Sequence, residues 1–183
     1  LHLLSRRQRQ MCIRDRYIGY LKDSFLISKA ERYDVKGKKY ISTPYKLYFE
    51  DTGLRNARLN FRQIEETHLM ENIIYNELRY RGYNVDVGVV EFREKTDEGK
   101  DIRKQVEIDF VANQGSKRYY IQSAYNIPDE EKWEQETRPF DKTNDSFKKI
   151  VIVEKSMKPR RDDKGYVMIG IKEFLLNNDS LDI

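Results

Sequence analysis

The sequence predicts an α/β (α+β) chain built on a mixed sheet with flanking helices, and three observations carry that expectation. Gln105 to Ala112 and Tyr119 to Tyr125 are runs rich in β-branched and aromatic residues on either side of Asn113-Gln114-Gly115-Ser116-Lys117, a hairpin signature. From about 63 to 81 apolar residues recur at helical spacing, and Gly82 follows where a glycine commonly ends a helix. A second polar helix pattern and a further apolar strand come after the hairpin. The order helix, three strands, helix, strand fits a mixed sheet covered by helices.

Composition excludes several classes of chemistry. The chain has 183 residues, with 35 Lys+Arg against 31 Asp+Glu and a formal net charge of +4. Its start, Ser5-Arg6-Arg7-Gln8-Arg9-Gln10-Met11-Cys12-Ile13-Arg14-Asp15-Arg16, resembles the in-frame translation of a transposase-type sequencing-library adapter, and Leu1-His2 matches the primer that precedes it. Residues 1–16 are therefore set apart, as a fusion scar would be; the competing reading is a natural basic arm that binds nucleic acid. Removing them takes away five Arg and Asp15 and leaves equal numbers of basic and acidic residues. Balanced charge gives no global argument for nucleic acid. The single Cys, Cys12, goes as well, which excludes a disulfide or a thiolate zinc site from the remainder. His68 is then the one histidine, too few for a Ser-His-Asp triad or a histidine metal cluster. No apolar run is long enough to span a membrane. High charge with many tyrosines suggests a cytoplasmic protein.

In chain order, residues 17–28 carry apolar side chains at 18, 21, 25 and 26, near helical spacing. Glu31 to Val35 and Lys39 to Thr43 flank Lys36-Gly37-Lys38, a predicted hairpin in which Gly37 would take positive φ. Lys46 to Glu50 reads as a returning strand, stopped by Asp51-Thr52-Gly53. Together, 17–56 resembles the end of a winged-helix domain. Its wing, Lys36, Lys38 and Lys39 with Arg32 and Lys46 nearby, would contact DNA phosphates. The same residues also fit an ordinary solvated hairpin tip, balanced by Glu31, Asp34, Glu50 and Asp51. Residues 57–183 form the second region. A polar connector over 54–62 leads to the long helix, then a strand from Tyr83 to Glu91 and a charged turn from Arg93 to Lys104. After the central hairpin come a helix around 129–141, a strand from Phe147 to Val153, a basic loop from Lys155 to Lys164, a strand from Tyr166 to Ile169 and a short helix over 171–176.

Asp109 is the residue that asks for chemistry. It stands between Ile108 and Phe110 in a core strand, where a charge is costly unless paired or bound to a metal. Glu107 shares its face by strand alternation, and Gln122 lies on the neighbouring strand. This order and these residues resemble the PD-(D/E)XK nuclease fold, in which a helix Glu, a strand Asp and a following Glu-x-Lys converge on Mg²⁺. The resemblance implies Glu71 and Asp109 as metal ligands and places Gln122-Ser123-Ala124 on the third element. Gln122 is neutral, and Ala124 stands where the Lys that activates water belongs, so the implied site Glu71, Asp109, Gln122 is degenerate. Helical arithmetic offers Glu77 as a rival to Glu71. Lys117 or Lys132 would be a replacement for the missing Lys.

More narrowly, the chain resembles the C-terminal region of a family of predicted AAA+ ATPases of bacteria and archaea. The matching pieces include Arg32-Tyr33-Asp34-Val35-Lys36-Gly37, Phe49-Glu50-Asp51-Thr52-Gly53-Leu54-Arg55, Glu71-Asn72-Ile73-Ile74-Tyr75-Asn76-Glu77-Leu78 and Glu107-Ile108-Asp109-Phe110-Val111. In that family an ATP-binding P-loop domain comes first; here no Gly-x-x-x-x-Gly-Lys-Ser/Thr occurs. The resemblance implies a nuclease-fold domain without catalysis that recognises a protein partner or DNA for an upstream motor. The alternatives are a metal-dependent endonuclease with an altered site and a winged-helix DNA-binding module.

Overall fold

The computed structural model describes residues 2–62, 65–95 and 99–182, with side chains throughout except those of residues 2–12 and Thr43. The elements are α1 (His2–Asp23), β1 (Ile27–Asp34), β2 (Lys39–Phe49), α2 (Thr52–Arg58), α3 (Glu66–Tyr80), β3 (Asn84–Lys95), β4 (Asp101–Gln114), β5 (Lys117–Ala124), α4 (Glu130–Asp141), β6 (Lys148–Val153), β7 (Arg160–Arg161), β8 (Val167–Gly170) and α5 (Ile171–Leu176). The strands form one eight-stranded sheet in the order β2-β1-β3-β4-β5-β6-β8-β7. Pairing is parallel at β1–β3, β5–β6 and β6–β8 and antiparallel elsewhere, so the sheet is mixed. Because β1 pairs with β3, backbone hydrogen bonds cross position 56/57, where the sequence divides the chain.

Two apolar layers sandwich the sheet. Met70, Ile74, Tyr75 and Leu78 of α3 and Phe174 of α5 pack with Val85, Val87, Phe110 and Ile121 on one face. Phe140 of α4, with Trp133 half-buried beside it, packs with Val90, Ile108, Tyr120 and Val151 on the other. The result is a mixed α+β fold with a sheet core and helices on both faces.

Most predicted elements fall within a few residues of the observed ones, and the exceptions have physical reasons. The helix expected over 17–28 ends at Asp23; Phe25 then turns the chain with φ 54 and β1 begins at Ile27. Its expected apolar stripe builds little core, since Leu21 is 41% and Phe25 83% exposed. The connector 54–62 holds the helix α2, started by Asp51, whose carboxylate accepts from Gly53 N at 2.7 Å and Leu54 N at 3.1 Å. No residue of α2 is buried, so it has no apolar stripe to read; the cap was the signal. The charged turn 93–104 is largely a paired ribbon, with Lys95 opposite Asp101; residues 96–98 lie outside the described residues, as do 63–64 at the expected start of the long helix. In the first hairpin it is Lys38, with φ 51, that takes the left-handed conformation. Gly37 is needed for another reason. Its N–H donates to Asp34 Oδ1 at 2.8 Å, and a Cβ there would collide with the Asp34 carboxylate.

The outer strand β2 is held from two sides. Its pairing with β1 slips between Ala30↔Lys46 and Arg32↔Ile41, so residues 42–45 stand against Glu31 alone. Pro44 lies in that slip, on an edge strand, where a missing N–H is tolerated. On the helix side, Asn72 accepts from Phe49 N at 2.9 Å and donates to Phe49 O at 2.7 Å, and Asn76 donates to the same carbonyl at 2.9 Å. Asn72 is 4% exposed. Asn72→Ala takes the side-chain acceptor from Phe49 N and one of the two amide donors from its carbonyl, and is expected to cost about 1–3 kcal/mol, read as a lower urea midpoint with an unchanged slope.

Candidate functional site

A β-bulge builds the site. Asp86 pairs with Val111 and Gly88 with Ile108, so Asp109 and Phe110 together stand opposite Val87. Such a bulge re-aims side chains by breaking the two-residue alternation. Ile108 and Val111 accordingly face the α4 layer, while Phe110 and Ala112 face the α3 layer. Opposite the bulge, Gly88 has no side chain to spare: a Cβ would lie 2.8 Å from Val111 Cγ2 and 2.9 Å from Ile108 Cβ. Asp109 keeps the side it shares with Glu107 by strand alternation, under the edge strand, and the bulge brings Phe110 to that side as well.

There both carboxylates, with Glu71 from α3, meet the ammonium of Lys46 from β2. Lys46 Nζ lies 3.0 Å from Glu71 Oε1, 3.0 Å from Glu107 Oε1 and 3.3 Å from Asp109 Oδ1. The second oxygens are engaged too: Glu107 Oε2 accepts from Arg32 Nη2 at 2.5 Å and Asp109 Oδ2 from Ser123 N at 3.0 Å. Tyr48, two residues beyond Lys46 on the same strand face, donates to Glu71 Oε1 at 2.7 Å. Gln122 Oε1 accepts from Asp109 N at 3.3 Å. Three carboxylates are therefore compensated by two cations, a phenol and a backbone amide.

The environment shifts these groups in opposite directions. Burial, with Glu71 close by, pushes Asp109 up to about 6 against the pull of Lys46 and the Ser123 amide. For Lys46, burial favours the neutral form, but Asp109 and Glu71 outweigh it and hold the ammonium well above its usual range. Burial and then the Glu71 carboxylate raise the Tyr48 phenol far beyond neutrality, so it stays a donor. A cavity of about 360 Å³ opens beside Lys46, Tyr48 and Glu71, bordered by Arg55 and His68.

Of the residues expected from the sequence, Glu71, Asp109 and Gln122 come together around this centre. Glu77 points elsewhere, pairing with Arg81 at 2.7 Å. Lys117 and Lys132 do not reach in: Lys117 pairs with Asp182 at 2.7 Å and Lys132 with Glu136 at 2.7 Å. The residues the sequence reading missed are Lys46 and Arg32, which it placed beside the wing. Strand alternation places Lys46 with Tyr48, and that was the available signal. Lys36 and Lys38 in the β1–β2 turn and Lys39 at the start of β2 are exposed. The carboxylates have the hard-oxygen chemistry Mg²⁺ prefers. In this arrangement, however, each gives an oxygen to the ammonium, which sits where a bridging cation would, and the set does not fit a metal as it stands. Among the described residues no group of three or more His, Cys, Asp or Glu side chains is disposed to hold a metal ion.

A family description for a domain of unknown function, DUF8612, matches residues 14–65. An uncharacterised protein of Haemophilus influenzae is 32% identical over 161 residues, which is 88% of this chain but 36% of that protein. The chain thus spans little more than a third of the curated relative it matches. No solved structure matches. No helix among the described residues is long and apolar enough to cross a membrane.

Two outcomes test the electrostatics. Asp109 binds its proton more tightly folded than unfolded, so its contribution to stability is full below about pH 4 and is lost as pH rises through about 6; Asp109→Asn is expected to flatten that fall in urea melts across the window. Lys46→Met leaves three facing carboxylates and should destabilise by on the order of 3 kcal/mol at neutral pH. The loss should shrink at pH 5, where Asp109 is protonated.

Proposed function

We propose that the chain is the C-terminal recognition part of a cytoplasmic AAA+ ATPase, a PD-(D/E)XK-like domain that has lost catalysis and serves to engage a protein partner or DNA. The observation that carries the loss of catalysis is the Lys46 ammonium lodged among Glu71, Glu107 and Asp109. A domain whose acid cluster is closed by its own cation keeps the fold without needing a metal. Gln122 and Ala124, in place of the acid and base of the motif, support the same reading. The basic hairpin of the winged-helix reading is built into the sheet beside this cluster, consistent with one recognition unit. The ATPase assignment rests on the resemblance given above, and the length of the Haemophilus relative leaves room for a motor domain.

One observation favours a second reading, a metal-dependent endonuclease. Lys46 lies within 3.3 Å of both Glu71 and Asp109 and so supplies, from another strand, the ammonium that Ala124 lacks. If Mg²⁺ displaced it from the carboxylates, Glu71 and Asp109 would hold the ion.

Incubation with single-stranded, duplex and supercoiled DNA plus Mg²⁺ or Mn²⁺ is expected to give no cleavage, and calorimetry with either ion no binding heat. Cleavage that disappears in Asp109→Ala would overturn the first reading and establish the second. Resequencing the locus upstream of the Tyr17 codon tests the motor: an in-frame P-loop is expected, and a start codon directly before Tyr17 would defeat the ATPase assignment.

A further inference from the structure

An apolar cavity of about 380 Å³ opens on the α4 face, near the carboxyl ends of the parallel strands β5, β6 and β8. Loops diverge at that end of an open sheet, and ligands commonly enter there. Ile127 follows β5, Met157 follows β6 and Met168 lies in β8; with Trp133 of α4 they form the apolar lining. All four pack, half-buried, against the layer that holds Phe140 and Val151, so they share one face of the sheet.

The lining is built to receive carbon. Trp133 Nε1 donates to Asp162 Oδ2 at 3.1 Å, which satisfies the polar atom of the indole within the protein. Met157 and Met168 are unbranched thioethers that adapt to the shape of what packs on them. The volume stands at the low end of ligand pockets, which run from about 300 to 1,000 Å³, and suits one or two inserted side chains better than a large cofactor.

The rim carries opposite charges on its two banks. Glu130 lies one helical turn before Trp133 on the α4 bank. Arg160 on the β7 bank pairs across from Met168 and so shares its face. Both are exposed, and among the described residues neither is held in an ion pair. The other rim charges are spent or turned away. Asp129 caps α4, accepting from Lys132 N at 2.8 Å. Asp162 holds Trp133 and also accepts from Tyr166 N at 2.7 Å. Arg161 pairs across from Val167, on the opposite face, beside Lys148.

We infer that this groove docks a peptide segment of a protein partner. One large apolar side chain of the segment packs against Trp133, Met157 and Met168, a basic residue meets Glu130 and an acidic residue meets Arg160. The order of the two charges fixes the direction in which the segment lies. The site goes beyond the recognition reading and stands without it, since it lies on the other face of the sheet from the Lys46 cluster and shares no residue with it.

The test begins with selection of displayed random peptides of about twelve residues on the immobilised full chain. Synthetic copies of the enriched peptides are then titrated against the emission of Trp133, the one tryptophan of the chain. Expected are sequences with an aromatic or long aliphatic residue between a basic and an acidic one, and a saturable blue shift of the emission. Met157→Glu should weaken binding by at least about tenfold, and Glu130→Lys and Arg160→Glu by about threefold each. Glu130→Lys/Arg160→Glu together should prefer the peptide with its basic and acidic residues exchanged. Thermal melts separate lost binding from lost folding; Glu130 and Arg160 are exposed, so the charge exchange keeps the test sound if Met157→Glu misfolds. No enriched peptide, an unmoved Trp133 emission, or an unchanged charge preference in the exchanged variant would overturn the inference. Self-association in sedimentation that Met157→Glu abolishes would also overturn it, by assigning the groove to a second copy of the chain. None of those results bears on the metal and cleavage assays of the acid cluster.

Discussion

The ammonium of Lys46 joins parts of the chain far apart in sequence: Glu71 is 25 residues away and Asp109 63. A half-buried carboxylate is tolerable only when its charge is met, and three of them share this cation. The demand spreads outward. Lys46 must lie on the inner side of an edge strand, and Tyr48, on the same side, then stacks on Tyr75 of α3 with ring centroids 4.1 Å apart. Asn72, one residue after Glu71, clasps the backbone of Phe49. Edge strand, helix and central strand are therefore positioned by one set of contacts that is both core and site.

The bulge at Asp109 and Phe110 is what makes that set possible. A regular strand would give Ile108 and Phe110 one face and Asp109 the other. With two residues opposite Val87, Phe110 joins the side of Asp109 and Glu107 and packs under the α3 layer beside the Lys46 cluster, while Ile108 serves the other layer. The arrangement gathers three carboxylates and neutralises them internally.

Much of the fold was legible because it depends on local rules. Gly82, with φ 84, ends α3 as a left-handed cap must. Asp129 caps α4 by accepting from Lys132 N at 2.8 Å, and Gly115, with φ 59, turns the central hairpin. Glu71 and Asp109 were picked out because a charge in an apolar pattern is unusual. Lys46 escaped notice because a lysine near a basic hairpin looks solvated, and nothing local reveals that its strand faces α3. Arg32 escaped for the same reason, and α2 because a helix without a buried face leaves no periodic trace.

The sequence by itself determined most of the elements, their order, a mixed sheet with flanking helices, and the lack of cysteine and the single histidine beyond residue 16, because composition, periodicity and capping act within a few residues. The tertiary structure alone decided that hairpin and central strands share one sheet, that Asp109 turns toward the edge, and that a lysine closes the acid cluster. Those outcomes depend on strand pairing and on charges meeting across long separations in the chain, where the free energy of burial, rather than local preference, selects the partner.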